Sequence, residues 1–276
     1  MSNSPKADKQ FGQHFLSNQG VIDRIAMSVM SLQEKLPEAR AKAPIVEIGP
    51  GPGALTKELL ARARPLSTKL LAVELDTRMV DHLQLQYSKD IEAQNFEVIH
   101  GDAVEADWLV SPLMEAGVVC GNLPYNVGTA IVFKLVEYAP QAQAFCFMLQ
   151  KEVVQRFMAV PSTKDYGVPS IMLQLVCAIG DHFWVQPGSF SPPPKVQSGV
   201  FTFRRRAKFL SPELDPFHPE TQYFAFNKRV KLAFQSRRKM LRKVFPALKD
   251  TEWGAKRPEA LSPEEWWSLW QDDLLK

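Results

Sequence analysis

Cysteine is scarce in this chain. Its 276 residues hold only three, Cys120, Cys146 and Cys177, far apart, in apolar surroundings and with no CxxC pair. That pattern excludes a disulfide framework and a structural zinc site, and predicts a buried, reduced thiol at each position. No bound metal is expected. Long apolar runs are also missing. The longest, Val168 to Ile179, is interrupted by Ser170 and Gln174, and it falls short of the roughly 20 residues needed to span a bilayer. The opening MSNSPKADKQ has no apolar h-region, so no secretory leader is expected and the protein is placed in the cytoplasm, away from membranes. Excess charge is lacking too: the net charge is +3, too small to argue for a polyanionic partner. Acidic residues are absent where it matters. From Asn227 to Lys243 the chain reads NKRVKLAFQSRRKMLRK, with eight basic residues and no acidic one. A basic stripe on a near-neutral protein points to local contact with phosphates.

What is present is ordinary for a folded protein: 45% apolar and 23% charged residues, with length for one large domain and one small one. Apolar runs at Ile45–Ile48, Leu70–Leu75, Phe96–Ile99, Val118–Cys120 and Ala144–Leu149 read as buried strands. Segments of helical spacing separate them at Ala54–Ala63, Arg78–Tyr87 and Ala130–Tyr138, with Thr77 as a candidate cap for the second. Two more helices, Lys151–Ala159 and Pro169–Cys177, precede late strands at His182–Val185 and Gly199–Arg204. The alternation predicts an α/β fold with about seven strands, mostly parallel, covered on both faces. A Pro-rich connection, FLSPELDPFHPE, then leads to a helical tail, in which Ser262 caps and Pro263 opens a final helix. The expected domains are 1–207 and an all-α 208–276.

Three strand ends carry polar or glycine features. VEIGPGPGALT places Gly49, Gly51 and Gly53 between a strand and a helix, a turn that lets backbone approach a ligand. The next strand ends in AVELD, and Glu74 can accept hydrogen bonds from two ribose hydroxyls. The third ends in IHGDA, where Asp102 can accept from an adenine amino group. A strand end and a turn cap are the alternative roles of these two carboxylates. The fourth strand runs into Asn122-Leu123-Pro124-Tyr125. An amide oxygen, backbone carbonyls and a flat ring suit an amino group on a planar heterocycle. No compelling general base accompanies them.

These motifs, in this order, resemble the rRNA adenine N6,N6-dimethyltransferase family. So do FGQHFLSNQGVIDRI (Phe11–Ile25), MLQKEVVQRFMA, YGVPS and FSPPPKVQSGV, while AFQSRRKMLRKVF resembles the C-terminal part of the bacterial KsgA/RsmA branch. The resemblance implies a Rossmann-like class I methyltransferase sheet and the cofactor S-adenosyl-L-methionine. It implies that Leu16, through its backbone, and His14 join the cofactor site, although His14 stands where the family commonly has Asn; both residue types can hydrogen-bond a carboxylate. It implies catalysis by Asn122 and the Leu123 or Pro124 carbonyl, with stacking on Tyr125 and closure by Phe190, whose alternative role is a core anchor for the Pro-rich loop. The implied substrate is a pair of neighbouring adenosines near the 3′ end of 16S rRNA in a small ribosomal subunit, reached by a monomer. Arg204, Lys228, Arg229, Lys231, Arg237, Arg238, Lys239, Arg242 and Lys243 are the candidate RNA contacts. The rival readings are a large-subunit methyltransferase of the macrolide-resistance type, a DNA adenine methyltransferase, a non-catalytic ribosome-assembly factor and a dinucleotide oxidoreductase. The GxGxG spacing speaks against the last of these.

Overall fold

The computed structural model of the chain describes residue 5 and residues 13–206, 212–218 and 220–275. Phe11 and Gly12 of the opening motif, and residues 209–211 and 219 of the Pro-rich connection, lie outside the described residues. Along the chain the elements are β1 (Phe15–Leu16), α1 (Gln19–Glu34), β2 (Ile45–Ile48), α2 (Ala54–Ala63), β3 (Leu70–Glu74), α3 (Thr77–Gln86), α4 (Ser88–Glu92), β4 (Phe96–His100), β5 (Val118–Asn122), α5 (Gly128–Tyr138), β6 (Ala144–Gln150), α6 (Lys151–Met158), α7 (Val168–Val176), β7 (Cys177–Val185), β8 (Phe190–Ser191), β9 (Ser198–Arg205), α8 (Tyr223–Gln235) and α9 (Pro263–Gln271).

Seven strands form one sheet in the order β4-β3-β2-β5-β6-β9-β7. The pairs β3–β4, β2–β3, β2–β5 and β5–β6 are parallel, and β6–β9 is antiparallel. The parallel strands are almost wholly buried, which is why they read as unbroken apolar runs rather than alternating ones. The order reverses between β2 and β5. At such a switch point the connecting loops diverge and leave a crevice at the carboxyl ends of the strands.

Three local features differ from the sequence reading. Helix α1 occupies a segment read only as part of an N-terminal motif. Its Asn18 cap accepts from the Val21 N–H at 3.1 Å, and Ile22, Ile25 and Val29 are buried in the core. Helix α3 is capped by Asp76, not Thr77: Asp76 Oδ1 accepts from the Arg78 N–H at 3.0 Å. Strand β3 ends at Glu74, so Asp76 takes the extended backbone that a cap needs and Thr77 is already helical. Strand β7 starts at Cys177 rather than His182. Most of its side chains are exposed or half-buried, so no apolar run marks it.

Two compact units result: Met1–Lys151 with Gly180–Arg204, and Glu152–Ile179 with Arg205–Lys276. The expected boundary at 207/208 lies close to Arg205, but Glu152–Ile179 groups with the C-terminal unit instead of the first domain. Packing explains this. Helix α7 packs on α8 and α9, the Tyr166 hydroxyl donates to the Leu261 carbonyl at 2.7 Å, and Phe234 lies against Tyr166 and Trp266. Ser262 and Glu265 form the reciprocal cap of α9, at 3.1 and 2.7 Å, with Pro263 at the first turn. Such a cap is worth about 1 kcal/mol.

One buried acid sets a measurable pH dependence. Glu47 lies in register between Ala72 and Cys120, inside the sheet, and accepts from the Thr56 hydroxyl at 2.6 Å. Burial pushes its carboxyl from an ordinary 4.5 up to about 8, against the opposing pull of Thr56. The folded state therefore holds this proton more tightly than the unfolded chain does. The stability it contributes is full below pH 4.5 and is lost as the pH climbs to about 8. Each pH unit in that window removes up to ~1.4 kcal/mol. Urea denaturation across this range should show the loss in the natural protein and a flatter profile in Glu47→Gln. Parallel profiles would show that Glu47 stays ionised in the fold.

Candidate active site

The crevice at the switch point is a cavity of about 280 Å³. It is lined from the ends of four strands: Gly49 and Gly51 after β2, Glu74 in β3, Asp102 after β4, and Asn122 at the end of β5 with Leu123 to Tyr125 after it. Gly49 and Gly51 have φ of 63° and 54°, the left-handed region that side chains disfavour. A Cβ on Gly51 would also come within 3.1 Å of the Phe15 ring. The turn thus stays bare and close to whatever fills the cavity. Gly53, the third candidate, does not line it. It caps α2 at φ 87° and lets Leu83 and Tyr87 approach, and its carbonyl accepts from the Tyr87 hydroxyl at 3.0 Å.

Glu74 is only 6% exposed. One carboxylate oxygen accepts from the Gly51 N–H at 3.0 Å and the other from the Asp76 N–H at 2.9 Å. Burial raises its pKa, and these backbone donors work against that rise. The Leu75 backbone N–H acts on the same carboxylate, and the lone-pair capacity left over is what a ligand hydroxyl can use. Asp76 is held below the usual carboxylate range by Arg78, and it also accepts from the Gln13 amide at 3.1 Å. Asp102 uses Oδ1 on the Val104 N–H at 2.8 Å, so one oxygen serves the turn and the other remains for the cavity.

The Asn122 amide is oriented by a distant partner. Its Nδ2 donates to the His14 carbonyl at 3.0 Å, which leaves Oδ1 as the acceptor on the cavity side. Of the two backbone candidates, the Pro124 carbonyl already accepts from Val127 and Gly128, at 3.3 and 2.9 Å, as α5 begins. The Leu123 carbonyl has no such partner among the described residues. The Tyr125 hydroxyl is bonded to Ser198 Oγ at 2.5 Å, and burial raises its pKa, so the phenol stays neutral. This pins the ring plane and removes Tyr125 as a base.

The side chains of two candidates lie in the core. Phe190 is 4% exposed, packs in the apolar core and does not line the cavity. It pairs across β1–β8 with Leu16, which is likewise buried in that core and away from the cavity lining. Both side chains hold the N-terminal segment down, and this orders the segment carrying His14. The His14 imidazole reaches the Pro192 carbonyl through Nδ1 at 2.8 Å and stacks near Tyr125, with centroids 5.8 Å apart and planes at 28°. Only Nε2 is left for a ligand.

The basic stripe is not one helical face. Lys228, Arg229 and Lys231 lie on α8, whereas Arg237, Arg238 and Lys239 follow its end and Arg242 and Lys243 occupy a short 3₁₀ turn. Arg238, Lys239, Arg242 and Lys243 are exposed. Arg237 instead donates to the carbonyls of Lys164 and Thr163 at 2.7 and 2.9 Å. Arg204 donates to the Lys35 carbonyl at 2.5 Å. These two guanidinium groups act as internal ties. Sequence reasoning missed Gln13, Leu75, Asp76 and Ser198. Leu75, read from the sequence as the end of a buried strand, stands 47% exposed just past β3 and lines the cavity.

Comparison with known proteins finds similar chains and similar folds. The chain is 38% identical over 250 residues to the ribosomal RNA small subunit methyltransferase A of Pseudomonas aeruginosa, covering 90% of this chain and 84% of that protein. The Pseudomonas putida protein of the same name is 38% identical over 265 residues, covering 93% and 91%. Among solved structures, a dimethyladenosine transferase from Plasmodium falciparum superposes with TM-score 0.76 at 24% identity, covering 94% of this chain and 97% of that one. The 23S rRNA methyltransferase ErmE superposes with TM-score 0.63 at 26% identity, covering 93% and 98%. The family pattern described as ribosomal RNA adenine dimethylase matches residues 4–254, and with most of its length accounted for in this way, the chain belongs to the ribosomal RNA adenine dimethylase family.

Proposed function

We propose that the chain is a small-subunit enzyme of its family. It transfers methyl groups from S-adenosyl-L-methionine to N6 of two adjacent adenosines near the 3′ end of 16S rRNA, acting as a cytoplasmic monomer on the small subunit or its precursor. The orientation of Asn122 carries the chemistry, because its donor end is held by His14 and its acceptor end is left for an amino group. The relatives at 38% identity named for the small subunit support the choice of RNA.

The cavity fits the cofactor. Gly49 and Gly51 keep Cβ atoms out of the first turn, the remaining lone pairs of Glu74 suit ribose hydroxyls, and Asp102 Oδ2 suits an adenine amino group. His14 would offer Nε2 to the methionine end. When bound, S-adenosyl-L-methionine supplies a methyl group already activated on a sulfonium. The chain's residues act on the nucleophile. The target adenine leaves its stack to enter the cavity and lies against the fixed Tyr125 ring. Asn122 Oδ1 and the Leu123 carbonyl accept hydrogen bonds from the two N6–H groups and turn the nitrogen lone pair out of the ring. As N6 gains positive charge in the transition state, these acceptors stabilise it, and alignment supplies the rest. The methylated nitrogen then loses its proton to water, with no residue acting as base.

Lys228, Arg229, Lys231, Arg238, Lys239, Arg242 and Lys243 are the proposed phosphate contacts, since RNA binding of this kind depends on charge and shape. The test is transfer of labelled methyl to undermethylated small and large subunits. Label is expected in the small subunit, on two adjacent adenosines. Label confined to the large subunit would assign the chain to the activity named for ErmE.

A further inference from the structure

The outer face of α8 is more than a solvated cationic stripe. Ala225, Lys228, Arg229, Leu232 and Gln235 recur at helical spacing and line an open depression of about 550 Å³. Leu232 is 40% exposed in the middle of it, flanked by Lys228, Arg229 and Lys231. Trp270, from the end of α9, supplies the remaining lining. Its indole N–H donates to Gln222 Oε1, and its ring meets Phe226 edge-on with centroids 6.0 Å apart. The indole is therefore held in place by the C-terminal unit itself.

Among the described residues, nothing compensates the cations around this apolar patch: no ion pair or hydrogen bond engages the side chains of Lys228, Arg229 or Lys231, and no carboxylate lines the depression. Lys228 and Lys231 are one turn apart, a spacing at which like charges destabilise a helix. A purely solvated face gains nothing from this arrangement or from an exposed leucine beside an indole. A ligand with several negative charges around a flat apolar body would satisfy all of it. An unpaired nucleotide is such a ligand: bases stack on aromatic side chains while cations follow the phosphates. A duplex offers the phosphates but keeps its bases in the stack. An acidic peptide would match the cations and leave Trp270 and Leu232 uncovered.

We infer that this depression binds an unpaired nucleotide of the RNA substrate, its base against Trp270 and Leu232 and its flanking phosphates on Lys228, Arg229 and Lys231. The inference rests on the rRNA reading above only for the source of the nucleotide. It is tested by equilibrium binding of a short single-stranded rRNA oligonucleotide, and of a duplex of equal length, to the full chain over a range of salt. Trp270→Leu and Leu232→Ser should each weaken single-strand binding, by about tenfold for the tryptophan, with the salt slope unchanged and duplex affinity within about twofold. A Lys228→Gln/Lys231→Gln double variant should flatten the slope of log K against log salt by about 0.7 for each phosphate it no longer neutralises. Leu232 is a surface position, so its variant keeps the test valid if Trp270→Leu unfolds. Wild-type single-strand affinity in Leu232→Ser, or an equal loss for the duplex, would overturn the site, as would polyglutamate competing as well as RNA. A chain that methylates no small subunit yet binds single strands through Trp270 would reject the substrate reading and keep this one.

Discussion

Asn122→Ala should lower methyl transfer at saturating cofactor by on the order of 10²–10³-fold, by analogy with the loss of one preorganised hydrogen-bonding group facing developing charge. Cofactor and RNA affinity should change far less. Asn122 makes two different bonds, and they can be separated. Its Nδ2 ties down the His14 carbonyl, and its Oδ1 is the proposed acceptor for N6. Asn122→Asp keeps an acceptor and loses the tie, placing a carboxylate oxygen against that carbonyl. If the acceptor role dominates, single-turnover rates with Asp should exceed those with Ala. If positioning of the N-terminal segment dominates, both variants should fail alike. Normal turnover in Asn122→Ala would refute the mechanism outright.

The second large effect concerns Glu74. Its two oxygens already accept backbone N–H bonds from Gly51 and Asp76 and hold the first loop against the end of β3. Glu74→Gln removes the charge and turns one acceptor into a donor that faces another donor. Hydrogen bonds to a charged group contribute about 1.5–3 kcal/mol each, so cofactor affinity should fall by about 10- to 100-fold. The rate at saturating cofactor should hold, as expected when ground state and transition state lose the same binding. Burial raises the Glu74 pKa, and the ionised form is the one that accepts these bonds. Acidification should therefore weaken cofactor binding at a higher pH than for an ordinary carboxylate, whereas the Gln variant should show no such step. Calorimetric titration with S-adenosyl-L-methionine across pH measures both, and an unchanged dissociation constant in the variant would remove Glu74 from the site.

Much of this site was legible before any coordinates. The strands at 45–48, 70–74 and 118–122 declare themselves because burial on both faces demands continuous apolar runs. Helices between parallel strands follow from chain connectivity. Once the alternation is seen, Gly49, Glu74, Asp102 and Asn122 must fall at one edge of the sheet, since successive parallel strands end on the same side. Composition and spacing are enough for that step. Edge strand β7 was partly missed because it has no buried run to display.

Tertiary structure alone decided the rest. Leu16 and Phe190 meet across β1–β8, 174 positions apart by their numbers (190 − 16), and local periodicity carries no trace of such a pairing. It placed the Phe190 side chain in the core, the second of the two roles open to it in the sequence. The same long-range closure put the His14 carbonyl on Asn122 and so settled which end of the amide is the acceptor. The Pro124 carbonyl was withdrawn from the chemistry by the first turn of α5, and Arg204 and Arg237 were drawn inward by carbonyls from distant segments. The sequence by itself determined which chemical groups are available and at which edge of the sheet they emerge, because strand ends are local. Which lone pairs and N–H groups remain free for a ligand was decided only in the folded chain, because each is claimed or released by a partner far away along it.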